Sequence, residues 1–269
     1  MFRCLVNGIP IGKGYPVRLM GVINCSPESF YPGSYVVPGA IRARAEEMIA
    51  HGADLIDIGA RSTAPRSPPL GERDEAERLE LALSELDGSG IPVSVDTTRT
   101  AVLERCLSHD IHAANDISGL ADPRYARLVA DAGLPAFLMA SVKVPGDATT
   151  LKETFVAAET VIDRCLSTGI GNYVLDPGIG LWTLRRSTDL DWEIAAHFEH
   201  FLCYERPLLA AISRKSFLAG PHTIPPEERL PASLALTALL VERGADIVRT
   251  HDVPETAEAI RAASRVVGR

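Results

Sequence analysis

Five apolar runs in the chain each end in a tight polar cluster: residues 93–97, 113–116, 173–178, 211–215 and 247–252. In a ring of buried parallel strands, residues just past the C-terminal strand ends share one face of the barrel, where catalytic groups gather. Asp96 and Asp176, the amide of Asn115 and the ammonium of Lys215 would then converge on one mouth. Such a set suits a nitrogen-rich heterocycle, because carboxylates accept paired N–H bonds while an amide and a lysine serve ring nitrogens and carbonyls. Any one of these residues alone could simply satisfy a neighbouring backbone group. Their recurrence at successive strand ends favours a site.

Asn24, Arg249 and His251 form a second group, since the first and eighth strands become neighbours when a barrel closes. Arginine and histidine donate to anionic oxygens, and a neutral amide oxygen is compatible with magnesium held largely by water and phosphate. The group points to a phosphorylated or pyrophosphorylated substrate.

The elements that must position these side chains alternate at intervals of roughly thirty residues, the rhythm of repeated βα units. Eight strands are predicted, at 17–24, 55–58, 92–95, 111–114, 136–139, 173–175, 208–212 and 247–248. Helices predicted at 40–51, 74–86 and 230–243 carry apolar residues at three- and four-residue spacing. The pattern predicts an α/β chain folded as a (β/α)8 TIM barrel, a single domain over 1–269. A short hairpin turning at Asn7-Gly8 precedes it and is placed to plug the barrel bottom. Two long loops, 26–39 and 61–71, follow the first two strands, and loops of that length in compact folds are often functional.

The formal charge of −8 argues against a nucleic-acid surface, which needs clustered Lys and Arg. Five cysteines without C-x-x-C spacing suggest neither a disulfide framework nor a structural zinc site, and fit a reducing compartment. The apolar stretch 2–9 is too short for export or for spanning a bilayer, so a cytoplasmic protein without membrane partners is expected. Cys25 beside the proposed site reads as a small packed thiol.

At the level of whole motifs, Met20–Phe30 resembles the first signature of the dihydropteroate synthase family, and Gly52–Gly59 with Ser62-Thr63 resembles the second. Further similar strings are Ser94–Thr97, Asn115–Gly119, Leu175–Gly180, Ser213–Ser216 and Arg249–Val253, in family order. The resemblance implies that Asp96, Asn115, Met139, Asp176 and Lys215 hold a pterin. It implies that Asn24, Arg249 and His251 serve its pyrophosphate and magnesium, and that Ser62, Thr63, Arg66 and Ser213 face the second substrate. Asp96, Lys215, Arg249 and His251 would carry the catalysis, in which an arylamine displaces pyrophosphate from the pterin's 6-methylene carbon. A homodimer through the last helices is also implied.

The departures from the family pattern concentrate on the second-substrate side. Arg61 stands where the family has glutamate, Ala64 where it has arginine, and Leu181–Arg186 where it has an aromatic, a glycine and a lysine. Leu138-Met139 replaces a His-Met pair. The arylamine that the resemblance implies is 4-aminobenzoate or a ribosylated aminobenzene phosphate. The departures fit a larger or differently charged arylamine, such as that ribosylated phosphate of methanopterin synthesis, or another pterin reaction, and an extra phosphate would suit Arg66, Arg185 and Arg186. The alternative is that Arg185 and Arg186 merely solvate a helix start. The competing functions are a tetrahydropterin-dependent methyltransferase and a pterin-binding protein without catalysis.

Overall fold

A computed structural model of the chain describes residues 3–27, 34–61, 70–220 and 223–268. Two antiparallel strands, β1 (Arg3–Val6) and β2 (Ile9–Gly12), form the expected hairpin. Its turn is made by Asn7 at φ 45° and Gly8 at φ 80°, the left-handed pair of a type I′ turn that matches strand twist. The eight following strands are β3 (Arg18–Asn24), β4 (Leu55–Gly59), β5 (Val93–Asp96), β6 (Ala113–Asp116), β7 (Ala136–Met139), β8 (Tyr173–Asp176), β9 (Leu209–Ala210) and β10 (Ile247–Thr250). They pair in parallel in the order β8-β7-β6-β5-β4-β3-β10-β9. A parallel bridge between Leu175 and Leu208 closes the ring.

Among the described residues, eight α-helices alternate with these strands: α1 (Ile41–Ala50), α2 (Glu72–Ser84), α3 (Thr100–Cys106), α4 (Pro123–Asp131), α5 (Leu151–Thr168), α6 (Thr188–Ala196), α7 (Leu230–Glu242) and α8 (Val253–Val267). No helix among the described residues is long and apolar enough to cross a membrane. The structure carries most strands one or two residues further than the sequence predicts, to include Gly59, Asp96, Asp116, Asp176 and Thr250. Each of these end residues is paired in register with a residue of a neighbouring strand: Gly59 with Asp96, Asp116 with Leu138, Asp176 with Met139 and Thr250 with Gly21. The seventh strand is shorter than expected, only Leu209–Ala210.

Side chains alternate between the helix layer and the barrel interior, as strand geometry requires. Leu138 and Leu175 pack in the outer core, while Phe137 and Val174 fill the interior. The lower interior is apolar: Met20, Leu55, Ala113, Phe137, Val174, Leu209 and Ile247 pack with Cys4, Val6 and Ile11 of the hairpin. The hairpin therefore plugs the N-terminal end of the barrel. Asn172 fastens it, accepting from the Leu5 backbone N–H at 2.7 Å and donating to the Leu5 carbonyl at 2.9 Å. With the lower end packed by the hairpin, the polar layer of the interior lies toward the C-terminal strand ends.

Candidate active site

The strand register places Gly59, Asp96 and Asn115 side by side on β4, β5 and β6. One layer deeper on β4 lies Asp57, an inward position in an otherwise apolar strand. Arg249 of β10 reaches across the mouth to both carboxylates, with Nε 2.6 Å from Asp57 Oδ2 and Nη2 2.8 Å from Asp96 Oδ2. Asn115 donates its Nδ2–H to the same Asp57 oxygen at 3.0 Å. Asp57 is the residue of this constellation that strand-end reasoning misses. Its signal is the period-two alternation of Leu55-Ile56-Asp57-Ile58-Gly59, which turns the aspartate inward two positions before the strand end.

Burial sets the electrostatics. It pushes the Asp96 carboxyl up to about 7; Arg249 opposes the shift and the charge of Asp57 adds to it. Burial disfavours charge on Arg249 too, yet Asp57 and Asp96 together hold its guanidinium above the ordinary range. On the opposite side of the mouth, Met139 and Asp176 are register partners at the ends of β7 and β8. Asp176 accepts from the Gly178 N–H at 2.7 Å, and burial raises its carboxyl against the pull of Lys215 and that bond.

Lys215 donates to the Ile179 carbonyl, and its Nζ lies 4.6 Å from the centroid of the Trp182 ring. Burial brings its ammonium down to about 8, with Asp176 and Asp191 opposing. Two glycines make this stack possible. A Cβ on Gly180, at φ +142°, would lie 3.1 Å from Lys215 Nζ, and a Cβ on Gly146, at φ +72°, would lie 2.1 Å from Trp182 Cβ.

Ser213 and His251 also meet, with Oγ 3.0 Å from Nδ1. The backbone N–H of His251 donates to the same hydroxyl at 3.2 Å. Burial, reinforced by Arg249, Arg214 and Lys215, pulls the imidazole down to about 3, so His251 is neutral at physiological pH. Arg214, between Ser213 and Lys215, holds Asp252 through two bonds of 2.8 and 2.7 Å. That bidentate pair locks the loop after β9 to the loop after β10, and so sets Ser213 against His251. Asn24 ends β3 on the rim and donates its Nδ2–H to Ser34 Oγ at 2.7 Å.

Of the residues expected to face a second substrate, Ser62, Thr63 and Arg66 lie outside the described residues. Arg61 stands 3.3 Å from Glu75 and donates to Thr98 Oγ1 at 3.1 Å. Glu75, fully buried on α2, also pairs with Arg99 at 2.8 Å and accepts from Thr97 Oγ1 at 2.7 Å. The sequence hides this hub, because an acid in a first helical turn ordinarily reads as a dipole partner.

Arg186 corrects an expectation. It is not poised for a substrate phosphate, nor does it solvate a helix start: its side chain is 1% exposed and pairs with Asp191 at 3.2 Å. It also donates to the Gly178 carbonyl at 2.8 Å, while Asp191 accepts from the Gly180 N–H at 2.7 Å. Arg186 thus anchors the segment after β8, and of the two arginines Arg185 is the exposed one. Cys25 is a packed thiol, pushed up to about 12 chiefly by burial.

Comparisons with known proteins agree with this geometry. The family model described as pterin binding enzyme matches residues 20–251. The dihydropteroate synthase of Mycobacterium leprae is 32% identical over 264 residues, covering 91% of this chain and 92% of that protein. A probable bifunctional folylpolyglutamate synthase/dihydropteroate synthase of Haloferax volcanii is 33% identical and covers 91% of this chain. The chain spans about a third of the length of such bifunctional relatives. Among solved structures, a dihydropteroate synthase from Coxiella burnetii in complex with pteroic acid superposes with a TM-score of 0.86 at 29% identity, over 99% of both chains. The family match over residues 20–251 and the Mycobacterium leprae relative, aligned over nine-tenths of both chains, show that the chain belongs to the pterin binding enzyme family and is a homologue of the dihydropteroate synthases.

Proposed function

We propose that the protein condenses a 6-hydroxymethyl-7,8-dihydropterin pyrophosphate with 4-aminobenzoate and releases pyrophosphate. The observation that carries this reading is Arg249, a cation set at the mouth between Asp57 and Asp96, beside the Asp176–Lys215 pair. One half of such a mouth binds N–H groups and the other binds an anion.

Asp96, Asn115, Asp176 and Lys215 would hold the pterin ring, with Met139 packed along its face. Arg249 and the neutral imidazole N–H of His251 would take the departing oxygens. As the C–O bond to pyrophosphate lengthens, positive charge spreads over the pterin, and an ionised Asp96 stabilises it. The amine nitrogen bonds to the methylene carbon and then loses a proton to water. An arylamine is already nucleophilic, so positioning dominates over base catalysis.

Magnesium fits as an ion carried by the pyrophosphate. Asn24 offers a neutral amide on the rim, and no group of three His, Cys, Asp or Glu among the described residues could hold a metal. The ion would supply charge neutralisation of the leaving group.

Two observations support 4-aminobenzoate over a ribosylated phosphate acceptor. Arg186 is committed to Asp191, and the Coxiella burnetii relative was solved with pteroic acid, which contains the 4-aminobenzoyl group. A folate-type pathway in the cytoplasm and a homodimer through α7 and α8 complete the reading. Leu239 and Val266, 54% and 86% exposed on those helices, support the dimer.

Steady-state pyrophosphate release with each acceptor tests the assignment. Turnover with 4-aminobenzoate at least about tenfold more efficient than with the ribosyl phosphate derivative is expected, a 1.4 kcal/mol preference. The reverse order would assign the methanopterin-type acceptor instead.

A further inference from the structure

The contact that ties the mouth together is one that the proposed reaction has to break. Arg249 Nη2 sits on Asp96, yet these groups serve different ligands: Asp96 the pterin, Arg249 the pyrophosphate. The two contacts of Arg249 differ in access. The Asp57 side chain is 0% exposed, whereas that of Asp96 is 19% exposed. A ligand entering the mouth competes for the outer contact and cannot reach the inner one. Asp57 is held from its other side by Asn115 on the same oxygen, and its Oδ1 has no hydrogen-bond partner among the described residues. The anchoring of this buried carboxylate therefore runs through Arg249 and Asn115.

We propose that Asp57 is a positioning residue: it retains the Nε edge of Arg249 while Nη2 is handed from Asp96 to the pyrophosphate as the pterin takes Asp96. This rests on the functional reading above. The exchange leaves no charge unpaired, which matters because a buried carboxylate or guanidinium without a partner is strongly disfavoured. Before binding, one guanidinium serves two carboxylates. Afterwards Asp57 keeps the arginine, Asp96 gains the pterin N–H groups, and the freed nitrogen meets the anion. Asp57 itself touches neither substrate.

The hand-over has a thermodynamic consequence. Pterin and pyrophosphate must each tighten the other, because either one removes the Arg249–Asp96 contact that opposes the other, and such coupling is reciprocal. Titration calorimetry of magnesium pyrophosphate into the protein, with and without saturating 6-hydroxymethyl-7,8-dihydropterin, measures it. Pyrophosphate is expected to bind about tenfold or more tightly when the pterin is present. In Asp57→Asn, pyrophosphate binding to the pterin-bound protein should weaken about tenfold or more, with the pterin Kd changed less than about threefold. The Asp57→Asn acid limb of kcat/KM should also move to lower pH, since the Asp57 charge helps to raise Asp96, a shift that lost scaffolding alone would not produce. In Arg249→Lys, whose single ammonium cannot span two groups, the coupling should vanish.

Independent binding of the two ligands to the wild-type protein overturns the hand-over even if Asp57→Asn fails to fold. Unchanged pyrophosphate affinity in a folded Asp57→Asn, or full coupling in Arg249→Lys, overturns it as well. A wild-type protein that does not bind the pterin at all overturns the functional reading and this inference together, whereas pterin binding without coupling overturns this inference alone.

Discussion

Asp96 and Lys215 have been moved toward each other on the pH scale, one up to about 7 and the other down to about 8, both chiefly by burial. On the proposed reading Asp96 accepts pterin N–H bonds on both oxygens only when ionised, so kcat/KM for the pterin pyrophosphate should rise as pH passes upward through about 7. Lys215 is a charged donor only while protonated, so the same parameter should fall above about 8. A narrow bell is expected, with both limbs belonging to the free enzyme. A plateau running from pH 5 to pH 10 would remove both residues from pterin binding. Asp96, Asn115, Asp176 and Lys215 are legible in the sequence because each ends, or closely follows, a run of strand-forming residues. Asp57 is not legible by that rule, since apolar neighbours on both sides disguise it as core.

The segment after β8 is built as a unit, and its parts make separable predictions. Arg186 and Asp191 are a buried pair, so Arg186→Ala should destabilise the fold by about 3–5 kcal/mol, because it leaves a carboxylate without its cation. Urea denaturation would read this. A loss under 1 kcal/mol, accompanied by a raised KM for the acceptor, would return Arg186 to the substrate. Gly146→Val places side-chain atoms where Trp182 stands. It should displace the indole from Lys215 and alter tryptophan emission; unchanged emission and KM would dissociate Trp182 from the site. The sequence could not reveal the role of Arg186, because a partner five residues away across a helix start follows no simple period. Trp182 is conspicuous by type, but its place over Lys215 depends on two glycines at positive φ in separate loops.

At the scale of the whole molecule, the barrel separates stability from chemistry. The hairpin and the lower interior layer form one apolar plug, and the polar layer above it is the proposed site. Ile11→Ala should cost about 2–5 kcal/mol of stability, seen as a lower Tm, with kcat/KM unchanged below the new transition. A selective loss of kcat/KM would show that the plug shapes the mouth. This architecture was readable from the alternation of βα units because every strand is short, buried and bounded by turn residues. The strand ends were less readable, since pairing carries polar residues such as Asp176 into the ladder. The plug, the ring and the Arg249 bridge together make one claim: a pterin and its pyrophosphate lie across the mouth between β5–β8 and β10. A crystal structure soaked with the pterin pyrophosphate and 4-aminobenzoate tests that claim most directly. The pterin should contact Asp96, Asn115, Asp176 and Lys215, and its pyrophosphate should lie on Arg249 and His251; a pterin bound elsewhere, or a pyrophosphate away from Arg249, would contradict it.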